Sequence, residues 1–395
     1  MRSSRVLLWL WLWLAAARHP SAVLGHDGTD EVRSRVCDSS DRCGHRDGER
    51  SHLGLITEDF PLADGSIPDG LGESEEVRVR YGTSALLHQI KSSKKKKLTR
   101  FADLKSEDGL WEVRPSPGRG LGIFAVREIP RGTRIIDEAP LFTLDPGGLV
   151  QGHGFAFDGI AAAVDTAFAS LNATARAAYL SCPEHRHPEG DAAYSREALI
   201  FRTNGFTMAG GIIGIFPRIA KLNHSCRPNA VSVSVGGRRV IWAGRDIAAG
   251  EEVMITYAPL TQDTETRRAR LAQWGFRCDC HACSASDEGR GEDEDAKRME
   301  MNRLTGLLEE ELGADAFGGD VLPLAEKLVA LVEEVGLADY LGKAYKYAAY
   351  AASRAGKYGA ARKWAKKELK MHEIADVESV YARQAKQFLE SLPLI

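Results

Sequence analysis

Three cysteines stand within six residues, Cys278, Cys280 and Cys283, in the spacing CxCxxC. Thiolates are soft donors, and three of them this close along a chain converge on a soft tetrahedral ion, of which Zn²⁺ is the usual one. Such an ion takes a fourth ligand. Cys226, His281 and His224 are the candidates, and Cys182 has no partner of its own nearby. A second cluster is NHSCRPN, Asn223 to Asn229, where a bare turn would need Pro228 and Asn229 but not Asn223, His224 and Cys226 as well. Taken alone it also reads as a capped turn with a satisfied histidine. The third is SPGRGLGIFA, residues 116–125, in which Gly118, Gly120 and Gly122 let a backbone approach a ligand closely. Hairpin turns use the same residues, and the loop lacks both the GKS or GKT ending of a phosphate loop and the GxGxxG of a dinucleotide fold.

These residues need strands and turns to hold them. From Leu110, LWEVRPSPGRGLGIFAVREIPRGTRIIDEAPLF alternates short apolar runs with Gly and Pro, which predicts β structure over 110–144. Residues 159–180 carry apolar positions at spacings of three and four and predict an amphipathic helix or a pair of helices. Strand character returns in IFRTNGFTM (200–208), in AVSVSVGGRRVIWAGRDI (230–247) with a turn at Gly236 and Gly237, and in EEVMITYAPL (251–260). Past the acidic SDEGRGEDED, helices are expected from about Lys297 to the end, two of them joined at Gly356 to Gly359 in the manner of a tetratricopeptide (TPR) repeat.

At 395 residues the chain predicts two or three structural units. Lys+Arg 52 against Asp+Glu 55, a net charge of −3, and 44% apolar residues exclude a wholly disordered or collagen-like chain and a polytopic membrane protein. The near-neutral balance argues against a protein that coats nucleic acid, and no direct nucleic-acid binding is expected. Residues 1–25 read as a signal peptide or hydrophobic leader, with Arg2 and Arg5 ahead of the apolar run Val6 to Ala17. That run rises about 18 Å as a helix, too short for a stable membrane span. Residues 26–106 read as a low-complexity linker without a fold of its own, containing Lys94 to Lys97 and a pair, Cys37 and Cys43, able to form a disulfide on export.

In order, GRGLGIFA, NGF (204–206), LNHSCRPN (222–229), EEVMITY (251–257) and GFRCDCHAC (275–283) closely resemble a SET-domain protein with a post-SET zinc motif, of the SMYD type and its fungal relatives. The resemblance covers about residues 110–285. It implies a mixed β and α fold: a SET domain of short strands with a pseudoknot over 107–260, a helical insert at about 145–200, a post-SET zinc motif at 261–286 and an α-helical TPR-like region at 295–395. It further implies methyl transfer from S-adenosyl-L-methionine to a lysine of a protein substrate, histone or non-histone. Under that resemblance Tyr257 is the catalytic tyrosine, and Arg119, Gly120, Asn223, His224, Tyr257 and Phe276 contact the cofactor. Phe206 and Tyr257 wall the lysine channel, and Cys226 joins Cys278, Cys280 and Cys283 around a structural Zn²⁺.

The chain also departs from the pattern. Residues 145–200 hold only Cys182, with His185 and His187, so no MYND zinc module fits there. The leader points to the secretory pathway, whereas the family's function points to the nucleus or cytoplasm. The rival to an enzyme is a catalytically silent SET and TPR-like scaffold whose C-terminal helices bind a partner. Loss of Tyr257, Asn223 or His224 would mark it, and all three are present. A hydrolytic zinc is the weaker reading, because four thiolates leave no position for an activated water.

Overall fold

The computed structural model describes residues 78–81, 106, 108–146, 150–151, 154–155, 157–188, 190–287, 289, 291–313 and 320–393. The leader at 1–25, Cys37, Cys43 and the Lys94 to Lys97 run lie outside the described residues. In chain order come β1 (Arg78–Tyr81), β2 (Trp111–Ser116), β3 (Gly120–Ala125), β4 (Arg134–Glu138), β5 (Phe142–Asp145), β6 (Val150–Gln151) and β7 (Gly154–Phe155). Helices α1 (Phe157–Ser170), α2 (Ala173–Leu180) and α3 (Arg196–Asn204) follow, then β8 (Gly205–Thr207), β9 (Ile213–Ile215), β10 (Asn223–His224), β11 (Ala230–Val235), β12 (Arg238–Ala243) and β13 (Glu252–Ile255). The rest is helical: α4 (Thr264–Leu271), α5 (His281–Asp287), α6 (Glu292–Gly313), α7 (Leu322–Val335), α8 (Ala338–Arg354), α9 (Tyr358–Ala375) and α10 (Val380–Ser391). Among the described residues no helix is long and apolar enough to cross a membrane.

The strands form small sheets of order β1-β5-β9-β8, β10-β13-β3-β2 and β11-β12-β4. Pairing is antiparallel throughout these sheets except between β10 and β13, which run parallel with Asn223 beside Met254 and His224 beside Ile255. That parallel contact brings the segment ending in Tyr257 alongside the NHSC loop. The hairpin β11/β12 turns at Gly236 (φ 55°) and Gly237 (φ 73°). Both central residues of that turn are left-handed, the conformation that a tight two-residue hairpin requires and glycine accepts.

Two stretches differ from their expectation. Strand was expected over 200–208, but α3 takes the first half and only Gly205–Thr207 is extended. The reason is local: Ser195 Oγ accepts the Ala198 N–H at 3.1 Å as an N-cap, and the helix then buries Ala198, Leu199, Ile200 and Phe201 on the insert's core. The span expected to be linker, 26–106, contributes β1, which pairs antiparallel with β5. Its RVRY alternates β-forming Val and Tyr with Arg, a period too short to stand out beside its polar surroundings.

Helix α6 begins at Glu292 and not at about Lys297, because the acidic run supplies its first turn, Glu292 to Asp295, where negative charge suits the helix N-terminus. Helices α8 and α9 meet through buried Ala348, Ala351, Ala352, Ala361 and Ala365, small residues that permit close backbones. Apolar packing divides into a cluster inside the sheets, a second under the insert around Tyr179 and Phe142, and a third that joins the four cysteines to the C-terminal helices. Tyr257 packs against both the first and the third.

The C-terminal helices dock on the strands at Gly244. An alanine there would set its Cβ 2.8 Å from Ala338 Cβ and 3.3 Å from Val231 Cγ2. Gly244→Ala is therefore expected to destabilise by about 1–3 kcal/mol through overpacking. Urea denaturation would show it as a lower midpoint with an unchanged slope.

Candidate functional site

The sulfur atoms of Cys226, Cys278, Cys280 and Cys283 all lie within 4.8 Å of one another, and all four residues are buried. Cys226 Sγ and Cys283 Sγ are 3.6 Å apart. A tetrahedral zinc with bonds of about 2.3 Å separates its sulfurs by about 3.8 Å, so this donor set fits such an ion. One observation independent of the sulfurs agrees. Arg267 is 1% exposed, its Nε is buried without a hydrogen-bond partner, and its guanidinium lies within electrostatic reach of the Cys226 thiol. An orphaned cationic donor at that place suits a negatively charged thiolate centre.

Cys226 reaches the cluster from the loop after β10, and the other three come from the segment that begins α5. His224 connects the cluster to the strands. Its Nε2 lies 3.3 Å from Cys226 Sγ, and its Nδ1 accepts the Tyr257 backbone N–H at 3.0 Å. Burial pushes the imidazole down to about 4, so the ring is neutral near pH 7, and the accepted bond at Nδ1 assigns its proton to Nε2, facing the sulfur. Both ring nitrogens are thus engaged. Among the expected cofactor contacts, His224 can contribute its main chain but no free ring atom.

Tyr257 is held at two points. Its hydroxyl donates to the Leu222 carbonyl, its ring lies 5.5 Å from the His224 ring, and burial raises the phenol well above its ordinary value. The Trp274 ring lies 5.2 Å from it, fixed by an indole N–H donated to the Thr203 carbonyl at 2.9 Å. Phe276 sits 6.3 Å from His224 and lines an open cleft with Thr264, Arg268 and Arg277. Phe206 is placed elsewhere in the site: its ring meets Phe216 at 6.0 Å and lies under the Arg239 guanidinium at 4.7 Å, in the same apolar cluster as Tyr257.

The glycine loop approaches from the other side. Gly120 has a φ of 78°, and a Cβ added there meets nothing within 4 Å, so the turn faces open space. Arg119 donates to Asp279 Oδ1 at 2.8 Å and pairs with Glu252 Oε2 at 3.7 Å, tying this loop to the cysteine segment. Asn223 donates through Nδ2 to the Leu121 carbonyl at 3.0 Å and to Glu252 Oε1 at 2.7 Å. Its Oδ1 accepts nothing among the described residues and is free for a cation or an N–H.

Two residues outside the expected set organise this groove. Glu252 collects Asn223, Arg119 and Ser116, the last at 3.0 Å. Asn229 is buried, donates to the Glu252 carbonyl at 2.8 Å and accepts the Met254 N–H at 2.7 Å, stitching the loop onto β13. Both stand inside quoted motifs, but nothing in their spacing distinguishes a groove-building carboxylate from a solvated one. Trp274 carries the nearest sequence signal, as the aromatic two positions before Phe276.

Comparison with known proteins identifies the strand-rich part of the chain. The SET domain profile matches residues 120–258, the span from β3 through Tyr257. Residues 120–258 are a SET domain. The chain is similar to histone-lysine N-methyltransferase set5 of Schizosaccharomyces pombe, 29% identical over 199 residues that cover 49% of this chain and 57% of the relative. It is similar to histone-lysine N-methyltransferase SMYD3 of Homo sapiens, 42% identical over 77 residues, 19% of this chain and 18% of the relative. N-lysine methyltransferase SMYD2 of Homo sapiens is 35% identical over 108 residues, 26% and 24% respectively. The chain thus spans a little over half of set5 and a quarter or less of the two SMYD proteins. The SET domain contributes Cys226 to the thiol cluster, and the other three cysteines follow it in sequence.

The purified chain is expected to carry about one zinc by elemental analysis, and Cys226→Ser to lower that content and its retention against a chelator. A chain that folds to the same stability with no metal would remove the metal centre.

Proposed function

We propose that this chain is an S-adenosylmethionine-dependent protein-lysine N-methyltransferase whose substrate is a lysine of a histone or another protein, with a structural zinc at the four cysteines. The observation that carries this reading is the place of Tyr257. It lies where the two parallel segments of the SET domain meet, its hydroxyl on Leu222 and its backbone on His224. The printed names of the relatives, histone-lysine and N-lysine methyltransferases, support the reaction class.

When bound, S-adenosylmethionine supplies an electrophilic methyl group on a sulfonium. Asn223 offers Oδ1 to an ammonium at the amino-acid end of such a ligand, Gly120 leaves backbone open to it, and Phe276 provides an aromatic face. The incoming lysine must reach the site as a neutral amine, although its free pKa is about 10.4. Aromatic walls from Phe206, Tyr257 and Trp274 desolvate the ammonium and favour its neutral form. Burial keeps the Tyr257 phenol protonated, so it serves as a hydrogen-bond donor and not as a base. Its bond to the Leu222 carbonyl fixes that carbonyl at the same point, and the remaining work is alignment of amine, methyl and sulfur with water excluded.

Calorimetric titration of the full chain with S-adenosylmethionine, with and without Asn223→Ala, tests the cofactor site, and methyl transfer to protein by Tyr257→Phe tests the catalytic one. Micromolar binding that Asn223→Ala weakens at least tenfold is expected, together with a loss of about 10²-fold or more in kcat for Tyr257→Phe. Zinc-loaded, folded protein that binds no S-adenosylmethionine would make the domain a scaffold. Undiminished turnover by Tyr257→Phe would remove its catalytic role.

A further inference from the structure

We propose that two buried arginines, Arg267 on α4 and Arg298 on α6, are charge-compensating and positioning residues of the tetrathiolate metal centre, which makes the first C-terminal helix a working part of that site. The inference rests on the metal reading above. A divalent ion with four thiolates is a dianion, and an anion held away from water needs compensating charge or hydrogen-bond donors close by.

The surroundings of the four sulfurs supply both. Arg267 is 1% and Arg298 0% exposed, the two bulkiest fully buried side chains among the described residues. Guanidinium groups are almost never buried this completely without a partner. Arg298 donates to the Cys226 carbonyl at 2.8 Å, to the Leu260 carbonyl at 2.6 Å and to Glu294 Oε1 at 3.0 Å. Arg267 donates to Asp295 Oδ1 at 3.0 Å, to Thr264 Oγ1 at 2.8 Å and to the Gln262 carbonyl, which leaves its Nε as the orphaned donor already noted.

Among the described residues Glu294 is shared between Arg298 and the exposed Arg227, and Asp295 serves Arg267. Arg268 holds the main chain of two further cysteines, donating to the carbonyls of Cys278 and Cys283 at 3.2 Å each. The Cys226 thiol lies within electrostatic reach of both Arg267 and Arg298. Each of the two buried guanidiniums meets one carboxylate, and the Arg267 Nε is left over beside the sulfurs, where a thiolate centre would engage it. Arg298 also grips the main chain of one ligand directly, so it sets where Cys226 points as well as what charge it meets.

The test uses the full chain with Arg298→Lys, which keeps the charge, Arg298→Gln, which keeps neutral hydrogen-bond donors, and Arg267→Met. Arg303→Met, on the exposed part of the same helix, is the control. Zinc affinity is read by competition with a chromophoric chelator, and ligand number by the thiolate-to-metal absorption of the cobalt-substituted protein. The proposal expects Arg298→Gln and Arg267→Met to weaken zinc binding by about 10–100-fold, Arg298→Lys to weaken it less than Arg298→Gln, and the control to match the parent. Equal affinity of Arg298→Lys and Arg298→Gln, or parental affinity in folded Arg267→Met, would overturn it. A parent chain whose cobalt form shows no thiolate bands would instead overturn the metal reading itself, before any variant is considered.

Discussion

One buried imidazole carries the join on which the site depends. His224 faces the Cys226 sulfur through Nε2 and accepts the Tyr257 backbone through Nδ1, so a proposed metal ligand and the proposed catalytic tyrosine are fixed by opposite edges of the same ring. The arrangement works only with a neutral ring, because a protonated Nδ1 cannot accept. Burial secures that by pushing the imidazole down to about 4. The parallel pair β10/β13, the Ser225 N–H on the Ile255 carbonyl at 3.0 Å and the Asn229 amide stitched to β13 all reinforce this crossing.

Seen from that crossing, the regions that flank the SET domain have a physical task. The cysteine segment closes one side of the groove and is tied to the glycine loop through Arg119 and Asp279. Trp274 and Phe276, just before the first of its cysteines, place aromatic rings beside Tyr257 and His224. Helix α6 reaches back to hold the Cys226 carbonyl, the Leu260 carbonyl and, through Glu294, Arg227. The insert joins in through Thr203, which receives the Trp274 indole N–H. The cysteine cluster, strands and helices therefore constrain one small volume from several directions, as preorganisation of the proposed displacement reaction requires.

Much of this was legible in the residues. CxCxxC with Cys226 is a donor set whose meaning depends on residue type and spacing, and the structure brings those four sulfurs together. The β11/β12 hairpin was legible because two adjacent glycines admit few alternatives. What escaped was set by tertiary partners. Strand β1 exists through pairing with β5, and α3 replaced an expected strand because its buried face fits the insert's core. Nothing local in the sequence tells that the guanidiniums of Arg267 and Arg298 will be enclosed. His224 was expected to contact the cofactor, and sequence did not foretell that a neighbour two positions on, Cys226, and a backbone amide across the fold would engage both of its ring nitrogens.

The central claim is that the cysteine loop, with the proposed metal, holds the strand that leads to Tyr257 in place through His224. Amide hydrogen exchange at Tyr257, measured in zinc-loaded protein and again after chelation, tests this bond directly. The account predicts strong protection with the metal and a large loss of it without, while the amides of β4 and β12 stay protected. Equal protection of Tyr257 in both states would contradict it, because the strand would then be held independently of the centre to which it is joined.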